Sequence, residues 1–218
     1  MCAKNNGRTV FDLDCRHCPR LSNFLQQVAA DHPDYHARPV PAFGDPEARL
    51  LIVGLAPGMH GANRTGRPFT GDFAGILLYQ TLFELGFGSR PVSESADDDL
   101  QLTGCRISNA VKCLPPQNKP VTEEIRNCNR FLKAELEALP ATATILALGK
   151  IAHDAVLRAF SLPLSHHRFA HAAEHHIGQR VLIDSYHCSR YNTQTRRLTE
   201  DMFRTVVARA RELTDSAA

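Results

Sequence analysis

No stretch of this 218-residue chain stays apolar for the roughly 20 residues a membrane helix needs, which excludes a membrane-spanning helix and a membrane partner. The opening residues, MCAKNNGR, lack the apolar centre of a secretion signal, so the cytoplasm, in contact with the nucleoid, is the expected compartment. There is no internal repeat and no low-complexity tail. An excess of one charge is missing too: 25 basic against 23 acidic side chains leave a net charge of +2. That balance permits a nucleic-acid partner through a local basic face without demanding one. The length suits one substantial hydrophobic core and would cramp two, so a single domain over 1–218, active as a monomer, is the expectation.

What is present in quantity is cysteine. Seven thiols cannot all pair, and in a reducing compartment cysteine pairs point to metal ligation or redox chemistry. Cys15 and Cys18 stand two residues apart, while Cys113 and Cys128 are separated by fourteen. Such a quartet suits zinc or an iron–sulfur cluster. Zinc ribbons usually carry two short knuckles, and a second pair that ends inside a predicted helix favours the cluster. Unrelated buried thiols are the plain alternative. Cys2, Cys105 and Cys188 are surplus.

Apolar runs at 49–55, 106–111, 144–148 and 180–184 read as strands. Stretches 73–86, 122–138, 150–160 and 197–213 carry apolar residues at three- and four-residue intervals, the helical spacing. That alternation predicts an α/β domain with a mainly parallel sheet. A helix is expected near 22–30, and Thr122 is a candidate cap for the helix it begins. Segments 89–104 and 161–179 read as exposed connections, and the histidines within the second (His166, His167, His171, His175, His176) as solvated loop residues rather than a second metal site.

In open α/β sheets ligands bind beyond the carboxyl ends of the strands. Two segments there carry chemistry. GLAPGMHGANRTGRPFTGD, residues 54–72, is dense in glycine, so its backbone N–H groups can approach a planar base or a phosphate. It matches neither the P-loop nor the dinucleotide pattern, and a purely structural turn would not need its length. SYHCSRYN, residues 185–192, offers His187 as a hydrogen-bond donor to a leaving group, with Arg190, Tyr191 and Asn192 able to reach a phosphate backbone or to fill a helix gap.

Together with NAVKCLPPQNKP at 109–120 and CRHCPRL at 15–21, these stretches resemble the uracil-DNA glycosylase superfamily, in particular its type-b branch, family 5. The resemblance runs from about residue 12 to residue 205. It implies a three-layer α/β/α sandwich around a four-stranded parallel sheet. It also implies a structural [4Fe-4S] cluster on Cys15, Cys18, Cys113 and Cys128, with an N-terminal binding segment at about 12–21. The reaction implied is hydrolysis of the bond between uracil and deoxyribose in DNA, with the nucleotide flipped into a pocket and an abasic site left behind.

The same resemblance assigns His187 to the departing base, Phe69 to stacking on it, Asn109 to its edge, and the Gly54, Ala56, Pro57 and Gly58 turn to backbone contacts. Phe69 could instead be a core residue beneath the loop. Ala56 stands where many superfamily members carry Asp, Asn or Glu. Water handling then falls to Asn63, with Asp72 as a possible base or a loop brace. The apolar position also leaves room for hypoxanthine, xanthine and ethenocytosine. Two alternatives remain at this point: a family 4 glycosylase, and a catalytically silent iron–sulfur DNA-binding sensor.

Overall fold

The computed structural model describes residues 4–5, 8–9 and 11–216; Cys2 lies outside them. A short ribbon, β1 (Lys4–Asn5) with β2 (Arg8–Thr9), precedes helix α1 (Pro19–Asp31). The sheet is built from β3 (Phe43–Gly44), β4 (Leu50–Gly54), β5 (Cys105–Asn109), β6 (Thr144–Leu148), β7 (Glu174–Ile177) and β8 (Arg180–Ser185), in the order β3-β5-β4-β6-β8-β7. Its centre, β5-β4-β6-β8, is parallel, and both edge pairings are antiparallel. The expected parallel strands are all there; β3 and β7 extend them to six.

Period-two alternation explains the three layers. Leu50 and Ile52 of β4, with Leu146 and Leu148 of β6, face a core shared with α3 (Phe73–Glu84) and α7 (Glu200–Ser216). Leu51, Val53, Ile145 and Ala147 face the opposite core, formed with α4 (Thr122–Ala138) and α5 (Lys150–Ala159). Central strands buried on both faces read as continuous apolar runs, which is why LLIVG and TILAL were visible in the sequence.

Three expectations are corrected. Segment 161–179 is not simply an exposed connection: it contains a 3-10 turn, Leu164–His166, and the edge strand β7. His175 accordingly leaves solvent and meets Asp184. Thr122 does not cap α4. The cap residue is Val121, whose N–H donates to Glu124 at 2.8 Å, because the apolar Val121 side chain offers no acceptor of its own. Segment 89–104 is polar, yet it turns Leu100 and Leu102 into the core.

Two short helices, α2 (Ala62–Thr65) and α6 (Arg190–Gln194), begin within the two loop motifs. No helix is long and apolar enough to cross a membrane among the described residues.

Candidate active site

A cavity of about 500 Å³ opens beyond the carboxyl ends of the parallel strands, where Leu55 follows β4, Asn109 ends β5, Gly149 follows β6 and His187 follows β8. The fold thereby brings together segments that are far apart in the chain. At its base, Gly54 makes the assembly possible. A Cβ there would collide with Asn109 Oδ1 and come within 2.6 Å of the Phe69 ring. Only a residue without a side chain lets the carboxamide and the aromatic ring close over the strand end.

Phe69 belongs to the core, as one reading expected, and its ring also lines the cavity. Its φ of 56° lies in the left-handed region, which a bulky residue adopts only where its surroundings over-determine it. Those surroundings are specific. Tyr79 donates to Pro68 O at 2.6 Å, Thr70 and Ser93 share a hydroxyl bond of 2.7 Å, and Arg67 is ion-paired with Asp98 in a buried setting. Arg67 also donates to Ser93 Oγ and to Ala96 O. Gly75, early in α3, completes the clamp, since any Cβ there would strike Phe69 O.

The His187 imidazole lies over Phe69, with ring centroids 5.8 Å apart and planes 25° apart. Its Nδ1 is buried without a partner, and burial lowers its pKa to about 4, so the ring is neutral at physiological pH. Asn192 Nδ2 donates to His187 O at 2.8 Å and fixes the turn. That bond commits the Asn192 amide to bracing. Arg190 lines the cavity rim and stands over Phe73, and Tyr191 is 71% exposed, so these two remain free to meet a ligand outside.

Asp72 lines the cavity and caps α3, accepting from Gly75 N at 2.9 Å. Burial raises its pKa, against the N–H groups of Gly75 and Ala74 that lower it. Asn63 is placed otherwise than expected. It is fully buried in α2, is absent from the cavity wall, and both polar atoms of its side chain lack partners. Of the glycine turn, Ala56 and Gly58 face the cavity, whereas Pro57 is buried away from it.

Several wall residues were given no role from the sequence, among them Lys150, Ile151 and Asn118, the last lying inside the 109–120 motif. Asn118 arrives through two successive left-handed residues, Gln117 and Asn118, which no periodic pattern announces.

Behind the β5 end, Cys15, Cys18, Cys113 and Cys128 gather around a second, smaller cleft. Three of the sulfurs face N–H donors, as thiolates require. Arg130 reaches Cys15 at 3.7 Å, Asn127 reaches Cys18 at 3.8 Å, and Lys112 N reaches Cys128 at 3.2 Å. Among the described residues no three of these sulfurs lie within 4.8 Å of one another. Burial first, and then the neighbouring thiols, push the Cys113 pKa up, so a cationic centre is what would hold these groups as thiolates. The donor set fits an iron–sulfur cluster. Glu124 ties the arm to this region, accepting from Arg20 at 2.8 Å through each oxygen.

A family model described as the uracil DNA glycosylase superfamily matches residues 41–211. A type-5 uracil-DNA glycosylase of Thermus thermophilus is 51% identical over 91% of this chain and 93% of its own length. Another of that name from Pyrobaculum aerophilum is 42% identical over 91% and 88%. A type-4 uracil-DNA glycosylase of Thermotoga maritima is 37% identical over 63% and 58%. With the model spanning the whole sheet from β3 to β8 and the type-5 relatives matched almost end to end, the chain belongs to the uracil-DNA glycosylase superfamily.

Proposed function

We infer that the protein is a monofunctional uracil-DNA glycosylase of the type-5 kind, hydrolysing the N-glycosidic bond of uracil in DNA and leaving an abasic site. One observation carries this reading: a neutral imidazole, an aromatic ring and a buried carboxamide meet on a single cavity at the strand ends. The near end-to-end match with type-5 relatives, against partial coverage by type-4 ones, favours type 5 over family 4.

The glycosidic bond cannot be reached inside the base stack, so the nucleotide is extruded into the cavity. Phe69 stacks on the base, a contact worth about 1–3 kcal/mol and tolerant of base identity. Asn109 meets its edge, where a carboxamide both donates and accepts. As the bond lengthens, negative charge moves onto the base and positive charge onto the sugar. His187 stabilises the anion by donating an N–H. Because the imidazole is neutral, this donor acts as an electrophile that keeps its proton rather than as an acid that gives it away. Backbone N–H groups of the turn around Ala56 and Gly58 assist. Asp72, one oxygen engaged by Gly75, has its carboxylate on the cavity wall to orient water towards the sugar. Arg190 and Tyr191 meet the phosphate backbone at the rim.

Ala56 leaves an apolar wall in place of a polar selector, so hypoxanthine, xanthine and ethenocytosine are further substrates. A [4Fe-4S] cluster on Cys15, Cys18, Cys113 and Cys128 would cross-link the arm at about 12–21 to the rest of the chain and take no part in bond breaking. The chain acts as one domain and as a monomer, at the nucleoid.

Base release from uracil, hypoxanthine, xanthine and ethenocytosine substrates, in single and double strands, tests the assignment; inactivity on all of them overturns it. Iron and acid-labile sulfide in equal amounts test the cluster, and colourless protein with stoichiometric zinc overturns that part.

A further inference from the structure

Near the carboxyl end of β8, three side chains meet that the chemistry above does not use. Asp184 is fully buried at the end of β8. Its Oδ1 faces His153 Nδ1 of α5 at 2.7 Å, and its Oδ2 faces His175 Nε2 of β7 at 3.0 Å. The ligand atoms of the three residues all lie within 4.8 Å of one another, and among the described residues they are the single group of this kind. None of the three lines the catalytic cavity.

We propose that His153, His175 and Asp184 form a binding site for a divalent transition metal ion of the zinc class. Two imidazoles and a carboxylate are a common donor set for such an ion. Both ring nitrogens of His153 face acceptors, Nδ1 the Asp184 carboxylate at 2.7 Å and Nε2 the His167 carbonyl at 3.0 Å. An ion at the centre would take Nδ1 in place of a proton and leave the Nε2–H anchored on His167 O. A metal-ligating histidine almost always anchors its other ring N–H in this way.

Ligand atoms at about 2.1 Å from a tetrahedral ion stand roughly 3.4 Å apart, so the two contacts to Asp184 would lengthen by about 0.4–0.7 Å and the remaining pair would close by up to about 1.4 Å. Entry is from the sheet edge, where the His175 side chain is 11% exposed and the His167 ring lies beside it at 5.6 Å between centroids. Three protein ligands leave a fourth position for water or for His167. The ion would be a brace rather than a reactant: Asp184 stands three residues before His187, so metal bound there pins the strand end from which the catalytic turn departs.

The test is zinc binding by the full chain as purified, followed by equilibrium dialysis against zinc chloride. Wild-type protein is expected to take up one zinc per chain beyond any metal held by cysteine. His175→Gln, which keeps an amide to meet Asp184 but removes the imidazole, is expected to weaken binding at least about 100-fold, since even outer-shell partners cost 10–100-fold. His175→Ala provides a second variant, with circular dichroism confirming that both are folded. X-ray absorption on zinc-loaded wild-type protein needs no variant and should show added N/O ligands at about 2.0–2.1 Å. No added zinc, unchanged affinity in folded variants, or a sulfur-only shell at about 2.3 Å would each overturn the proposal and leave a metal-free hydrogen-bonded triad.

Discussion

On the cavity side of the 54–72 loop, the buried Nδ1 of His187 makes no hydrogen bond. On the other side of the same loop, Arg67 alone donates to Asp98, Ser93 and Ala96, while Tyr79 and Thr70 hold the adjoining backbone and hydroxyls. The wall keeps hydrogen-bonding capacity in reserve for a ligand, while the Arg67 network behind it is closely paired, although Asn63 lies buried in the same loop without partners. An unpaired buried polar group is costly, and a left-handed phenylalanine stores strain. The Arg67 network works against both, so the reactive surface is set before any substrate arrives.

The largest effect on that contrast should come from the shell. Asp98→Asn leaves Arg67 buried and without its counter-charge, and loss of about 3–5 kcal/mol of stability is expected, read as a fall in the urea midpoint. Burial raises the Asp98 carboxyl, but the Arg67 bond and the N–H groups of Glu94, Ser95 and Leu100 outweigh it and bring the pKa to about 2. A depressed carboxylate stabilises above its unfolded value of 3.8 and loses that contribution as pH falls towards about 2, so Asp98→Asn should also flatten stability across that acid window.

Next comes the wall. His187→Ala should cost about 2.7–4 kcal/mol of barrier stabilisation, measured as single-turnover base release, with little change in melting temperature. Full activity in that variant would remove His187 from its role. Gly54→Ala tests the closure itself: the added methyl meets the Phe69 ring at 2.6 Å, and overpacking of this sort costs about 1–3 kcal/mol. Activity should fall further than stability, because the ring and Asn109 are displaced together.

The last effect is a pH dependence, silent at neutral pH and expressed only in acid. His187 titrates at about 4 when folded and near 6.5 when unfolded. Between those values the unfolded chain binds the proton and the folded one does not, so stability should drop as pH falls from 6.5 towards 4. Above 6.5 the residue contributes nothing to pH dependence. Base release should accordingly show no inflection near 6.5 that His187→Ala abolishes.

How much of this could be read from the sequence depended on whether a residue's role rests on neighbours along the chain. The central strands were legible because burial on both faces makes them apolar throughout, and the glycine loop and His187 because they follow such strands directly. Strand β3 has two residues and therefore no period, and β7 is a half-exposed edge rich in histidine. Asn63, expected to handle water, is folded inward by the α2 turn and lies off the cavity wall, a placement that no local pattern marks. His153, His175 and Asp184 are separated by 31 and 9 positions along the bonds that join them, and no local pattern marks such a meeting.

The arm that carries Cys15 and Cys18 is held by partners about a hundred positions away, with Arg20 bonded across 104 residues and Arg130 reaching back across 115. A ribosome moving at 5–20 residues per second needs roughly 6 to 23 seconds to travel from residue 15 to residue 128. Throughout that interval Cys15 and Cys18 are displayed on the nascent chain without Cys128, open to oxidation or to a passing metal. A cluster on the four sulfurs, as proposed, would be installed only once the last of them has emerged.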